Sequence, residues 1–152
     1  MRQQFQDWIA FHKACTTWFH AAHHVTKGAS FGGDHVNLYG KIYTELETDF
    51  DGLVEKALGQ TNDESLADPN TILMGAGLKL SEWPQPVNQS SHGIASHGLF
   101  LVKDYLRFLD GVYRILEDTN QLSLGVDDFI CAASNKYEVY VYLLQQRIKS
   151  EL

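Results

Sequence analysis

The chain has 152 residues, of which 44% are hydrophobic and 20% charged, and its formal charge is −7 at neutral pH. That length suits one domain, residues 1–152, with a core of its own. The acidic balance argues against a generic nucleic-acid surface, because phosphate contacts need clustered Lys and Arg. No signal peptide and no apolar run long enough for a bilayer occurs, so the sequence predicts a cytoplasmic protein without a membrane segment. Two cysteines, Cys15 and Cys131, make neither a disulfide framework nor a metal knuckle. Both fall in helical patterns, which predicts buried, inert thiols.

From Gln3 to about Val25, apolar residues recur at three- and four-residue spacing, from Phe5, Trp8 and Ile9 to Trp18, Phe19 and Ala22. This predicts an amphipathic helix with a broad buried face. It carries His12, His20, His23 and His24. The last three have the spacing to hold a metal within one helix, but no carboxylate accompanies them. Thr26 to Gly33 reads as a turn. A second helix is predicted from a capping Asp34 to Leu58, roughly 36 Å long, with Gly59 as a left-handed cap. His35, Tyr39, Tyr43, Glu47, Asp51 and Glu55 fall on it at four-residue steps.

Gln60 to Gln89 is irregular and holds all three prolines, Pro69, Pro84 and Pro86. A connection that long is expected to pack on the surface, with a short helix near Asn70 to Met74. A third long helix starts near Ser91 to Ser96 and reaches about Asp118, with Leu99, Val102, Leu106, Leu109, Tyr113 and Leu116 inward. After a turn, a fourth runs from a capping Asp127 to about Ser150. Its inward residues are Phe129, Ile130, Ala133, Tyr137, Val141, Leu144 and Ile148. Four long helices with one long middle connection predict an all-α, ferritin-like four-helix bundle.

Asp51 and Glu55 share one helix face, and paired carboxylates chelate hard cations. The plain alternative is a solvated acidic face. His23, His24 and His35 are the nearest imidazoles, and imidazole shifts the preference toward iron or zinc. His92 and His97 lie in a flexible helix start and are weaker candidates. Ser134 lacks a nucleophile elbow, and the glycines from Gly28 to Gly33 lack the ending of a phosphate loop.

The run Ala22-His23-His24-Val25-Thr26-Lys27-Gly28-Ala29-Ser30-Phe31, then His35, then Asp51-Gly52-Leu53-Val54-Glu55-Lys56-Ala57, resembles the Dps mini-ferritins. Their pattern is His-Trp-x-x-(Arg/Lys)-Gly-x-x-Phe, a further His, and Asp-x-x-x-Glu-(Arg/Lys). The stretch from Asp127 to Ser134, with Glu138, resembles the family's last helix. The likeness is firm over residues 18–59 and 99–149 and poor over 60–95.

It implies a homo-oligomeric cage, a hollow dodecamer, that binds iron and oxidises Fe(II) with peroxide or oxygen. Such a cage stores the ferric mineral and protects against oxidative stress. Carried over residue by residue, the ferroxidase site has His23 and His35 from one chain and Asp51 and Glu55 from another. Zinc is an alternative occupant and His24 an additional ligand. Asp118, Asp127 and Asp128 would line an iron-entry pore, although acids at a helix start are also ordinary caps. Neither terminus has the lysines that the family's DNA binders use, so DNA binding is not expected.

Three departures bear on the site. Tyr39 or Gly40, depending on register, stands where the family has a further Asp. His24 replaces the tryptophan. One residue is inserted between His35 and Asp51, which rotates the pair by about 100° unless a π-bulge, for which Gly40 is placed, absorbs it. The alternative function is a ferritin-like structural shell with a degenerate or vacant site. A different dimetal carboxylate enzyme would need Glu-x-x-His pairs, and the second and fourth helices have none.

Overall fold

The computed structural model describes residues 1–149. Four long helices form the bundle: α1 (Arg2–Val25), α2 (Lys41–Thr61), α4 (Ser91–Asp118) and α5 (Leu124–Lys149). The shorter α3 (Pro69–Leu80) lies in the connection between α2 and α4. A π-helical segment, Gly33–Gly40, runs straight into α2. No described helix is long and apolar enough to cross a membrane. The predicted end of the last helix at Ser150 lies outside the described residues.

Several predicted helix ends move, each for a local reason. Asp34 is not a cap: it is buried inside the π-helical segment and takes Arg147 Nε at 2.8 and 3.0 Å. Gly59 stays helical, and Asn62 supplies the left-handed cap of α2 with φ 51°. Asn tolerates that conformation better than most residues, so the helix gains three residues. Asp127 sits within the first turn of α5, whose start is closed by Ser123 Oγ accepting from the Val126 amide.

The connection packs on the bundle, as its length demanded. Asp68 caps α3 by accepting the Thr71 amide at 2.9 Å, with Pro69 at the first helical position. The helix is longer than predicted because its apolar residues Ile72, Ala76 and Leu80 have α1 to pack against. At Gly75 the backbones come so close that a Cβ would sit 2.9 Å from the Ala10 methyl. Trp83 packs against Phe11 with the rings tilted by 60° and its indole donates to Asp104, while the Trp18 indole donates to the Pro84 carbonyl. These bonds fasten both sides of the connection to α1 and α4.

The buried face of α4 is centred elsewhere than predicted. Val102, Leu109 and Leu116 are buried, but Ile94, Leu101, Tyr105 and Val112 join them, while Leu99, Leu106 and Tyr113 are half-exposed. Apolar residues surround most of this helix, and only the position of its neighbours selects the stripe. On α5, Ile130, Ala133, Tyr137 and Leu144 are buried as expected. Cys15 is buried, but Cys131 is exposed on the outer face of α5, its thiol against Asp127. A helical pattern alone did not separate these two environments.

The most deeply buried polar side chain among the described residues is that of His12. His12 is 1% exposed, with Nε2 2.6 Å from the Leu46 carbonyl and Nδ1 2.6 Å from the Tyr105 hydroxyl. A carbonyl only accepts, so Nε2 carries the proton and Nδ1 accepts from Tyr105. The Tyr105 oxygen in turn accepts from the Trp8 indole at 3.0 Å. This chain is satisfied only by a neutral imidazole, and burial lowers the His12 pKa from 6.5 to about 4. The folded pKa lies below the unfolded one, so the unfolded chain takes up the proton first as pH falls. The stabilisation is complete above pH 6.5 and is lost between 6.5 and about 4. The loss should reach about 3 kcal/mol at 1.36 kcal/mol per unit. His12→Gln keeps one donor and one acceptor without titrating. Urea midpoints measured from pH 7 to 4 should fall more steeply for wild type than for His12→Gln, and parallel curves would contradict this account.

Candidate metal centre

The end of α1 and the start of the π-helical segment face each other across the turn at residues 26–30. His23 stands on the last turn of α1 and His35 near the start of the π segment. Their rings stack with centroids 3.8 Å apart and 12° from parallel. His23 Nδ1 lies 2.5 Å from the His35 carbonyl, and His35 Nδ1 lies 2.6 Å from the His23 carbonyl. Each carbonyl can only accept, so both Nδ1 atoms carry the proton. In the neutral rings Nε2 therefore keeps its lone pair, the form in which imidazole binds metal. Phe31 stacks on His35 at 4.9 Å, completing a parallel pile of three rings.

A π-helical segment, Gly33–Gly40, overlaps the stretch in which the extra residue is expected. A π turn closes i to i+5 and takes one residue more than an α turn. Asp34 and Tyr39, five apart, are accordingly both buried. Gly40 ends the segment, as its placement predicted, and the reason is steric. A Cβ there would lie 2.5 Å from the His35 carbonyl and 3.2 Å from His23 Nδ1. Tyr39 is fully buried with its hydroxyl unpartnered among the described residues, and burial raises its pKa. Neither Tyr39 nor Gly40 offers a carboxylate to the histidines.

Asp51 and Glu55 are both exposed on α2. Asp51 lies on the order of 20 Å beyond His35 along the helix, at 1.5 Å per residue. The chain thus brings His23 and His35 together and leaves Asp51 and Glu55 apart from them. Among the described residues, no three His, Cys, Asp or Glu side chains gather as a metal site. The other acids of α2 divide cleanly. Asp49 pairs with Lys136 at 3.0 Å, and Glu45 accepts from Lys41 and from the Tyr140 hydroxyl. Those bonds hold Glu45 below the usual carboxylate range against the opposing effect of its partial burial.

His24 is exposed and next to the pair, with its ring 5.3 Å from His23. His92 is exposed and His97 half-buried, well along the chain on α4. Asp118 and Asp128 are exposed, and Asp127 is half-buried, accepting from the Cys131 thiol at 3.3 Å and the Tyr113 hydroxyl at 3.5 Å. The reciprocal carbonyl bonds and the Arg147 partner of Asp34 were beyond sequence reasoning, since nothing local marks them. The bundle interior offers no second centre. Its one buried carboxylate among the described residues, Asp34, is taken by Arg147.

No protein-family model matches the chain, and no curated protein does. Among solved structures it is similar to the Dps protein from Vibrio cholerae O1, a member of a broad superfamily of ferritin-like diiron-carboxylate proteins. The identity is 15% and the TM-score 0.76, over 97% of this chain and 87% of that one. It is also similar to Dps from Thermosynechococcus elongatus, at 14% identity and TM-score 0.77, over 97% and 88% of the two chains. The chain therefore has the ferritin-like fold of these Dps structures.

The clasp makes a signed prediction for Gly40→Ala. By helix propensity alone, alanine should stabilise by about 1 kcal/mol. The close approach of the His35 carbonyl instead predicts a loss of about 1–3 kcal/mol, as for other overpacked sites. Thermal unfolding gives the sign, and nitrogen-detected NMR of the two Nδ1–H groups reports whether the clasp survives. A more stable variant with both protons still hydrogen-bonded would refute the steric reading.

Proposed function

We propose that this protein is a Dps-like iron cage that oxidises Fe(II) between subunits and keeps the ferric product inside. The observation that carries this reading is the stacked pair His23 and His35, each with Nδ1–H given to a carbonyl and Nε2 left as a donor. Two nitrogens are half a site. The acids that would complete it, Asp51 and Glu55, lie too far along the same helix, so they would come from a second copy. Imidazole leaves iron redox-competent, while hard carboxylates hold the ferric product. The carbonyls behind each ring fix its tautomer and orientation.

Iron is the substrate here. Each Fe(II) gives up one electron, and a peroxide takes two as its O–O bond breaks, so two ferrous ions are oxidised per peroxide. Dioxygen taking two electrons would leave peroxide. The ferric ions hydrolyse, release protons and deposit as mineral. Asp118, Asp127 and Asp128 would draw cations toward the interior through a pore between copies. DNA binding forms no part of this reading.

One observation favours a second reading, an inert shell. Tyr39 and Gly40 leave the histidines without a carboxylate from their own chain. Two measurements separate the readings. Gel filtration should place the protein far above its 17.2 kDa chain mass. Fe(II) with peroxide should develop ferric absorbance well above the protein-free rate. A cage that leaves that rate unchanged would mean the shell, and a lone chain would overturn both.

Sharing between subunits is tested by mixing. The His23→Ala/His35→Ala and Asp51→Ala/Glu55→Ala proteins should each oxidise iron at the background rate. Oligomers refolded together from the two should recover part of the activity, because one interface site in the mixed pair is whole. Absence of recovery in confirmed mixed oligomers would exclude the shared site.

A further inference from the structure

His20 and His24 lie outside the clasp, and their geometry is that of a separate pair. They stand four residues apart on α1, so their side chains project from one face, one turn above the other. Their rings are 4.6 Å apart by centroid, while His20 is 6.4 Å from His23. Both are exposed. His20 is held in place by Tyr43, whose ring stacks on it at 4.3 Å and 15°. That contact ties the imidazole to α2 and reduces the freedom a surface histidine would lose on binding an ion. His23, 5.3 Å from His24, stacks instead on His35 at 3.8 Å and gives its Nδ1–H to the His35 carbonyl.

We propose that His20 and His24 form a second transition-metal site, separate from His23 and His35 and contained in a single chain. Two imidazoles at i and i+4 are the donor set used by helical zinc sites. With no carboxylate from the same chain in the pair, the set favours borderline ions that take nitrogen well, Cu(II) first and Zn(II) after it, over Mg(II) or Ca(II). Water completes the coordination on the exposed side. The site would discriminate among metals reaching this face, since an ion held by His20 and His24 would sit beside the clasp without using its nitrogens. It goes beyond the iron reading and does not depend on it.

Copper(II) itself is the probe, titrated into the intact protein at neutral pH in a non-coordinating buffer. Binding is followed by calorimetry and by electron paramagnetic resonance, which shows nitrogen hyperfine structure from bound imidazole. Wild type and His23→Ala/His35→Ala should both take up copper with a nitrogen-coordinated signal. His20→Ala/His24→Ala should lose one equivalent per chain, as should His24→Arg, which fills the position without a donor. Excess Zn(II), but not Mg(II), should displace the copper. Circular dichroism verifies the fold of each variant, and exposed positions make its loss unexpected. The proposal fails if His20→Ala/His24→Ala binds copper as wild type does. It also fails if His23→Ala/His35→Ala removes all nitrogen-coordinated copper, because the four rings would then serve one site. Failure of iron oxidation with copper binding intact would overturn the iron reading alone.

Discussion

The clasp between His23 and His35 works because two helices offer carbonyl oxygens to side-chain donors at the same place. The last four carbonyls of an α-helix have no partner within it. In α1 the Thr26 amide takes the Ala22 carbonyl, and His35 Nδ1–H takes that of His23. On the other side, the π-helical stretch brings the His35 carbonyl within reach of His23 Nδ1. Each ring thus satisfies the backbone that carries the other, and the by-product is that both Nε2 atoms of the stacked rings are left without a backbone partner in the clasp. The local needs of the backbone generate the donor set. Gly40 is the condition for it, because only a residue without a Cβ lets carbonyl, ring and helix meet.

The segment is held from below by a buried ion pair. Asp34 and Arg147 are 4% and 8% exposed in their side chains, and Thr26 Oγ1 approaches the same carboxylate at 3.5 Å. Burying two charges is weak evidence for net stability, but losing one partner typically costs about 3–5 kcal/mol. That asymmetry makes the pair a register lock. Any shift of the π segment along its axis would leave an unpaired charge in the core. The last turn of α5 is therefore tied to the start of the π-helical segment, next to the histidines.

Local signals in the sequence were enough for the helices and the long connection, while the distortion near Gly40 was expected from the family spacing. His23 and His35 as a pair came from the resemblance to the Dps pattern, not from spacing. The misread features depended on residues distant in the chain. Asp34 looks like a cap because Ser, Asp and Gly commonly precede helices, yet its partner lies 113 residues away. Gly59 looks like a stop, but α2 continues until Asn62 supplies the left-handed turn. Cys131 sits in an apolar-rich helix, and only the position of the other helices puts it outside. His12 belongs to the same group. Its burial is set by Tyr105 and Leu46, on two other helices, and no feature of α1 alone separates it from His20.

Iron chemistry, if this chain performs it, must be placed at its edges rather than in its middle. The middle of the bundle is occupied by aromatic groups and by the polar chain Trp8–Tyr105–His12–Leu46, in which each donor has an acceptor. A metal could enter there only by breaking that chain and desolvating its own charge. At about 15% identity to the Dps structures, the likeness is one of fold. Fold alone carries no activity, and chemistry has to be argued from the groups that remain available. On this chain those groups are imidazoles at one bend and acids further along the next helix, a separation no rotation of side chains can close. A site built from such halves exists only in the assembled protein. Its affinity for iron would then fall with dilution as the assembly comes apart, whereas a pair such as His20 and His24, carried on one helix, would keep its metal in the single chain.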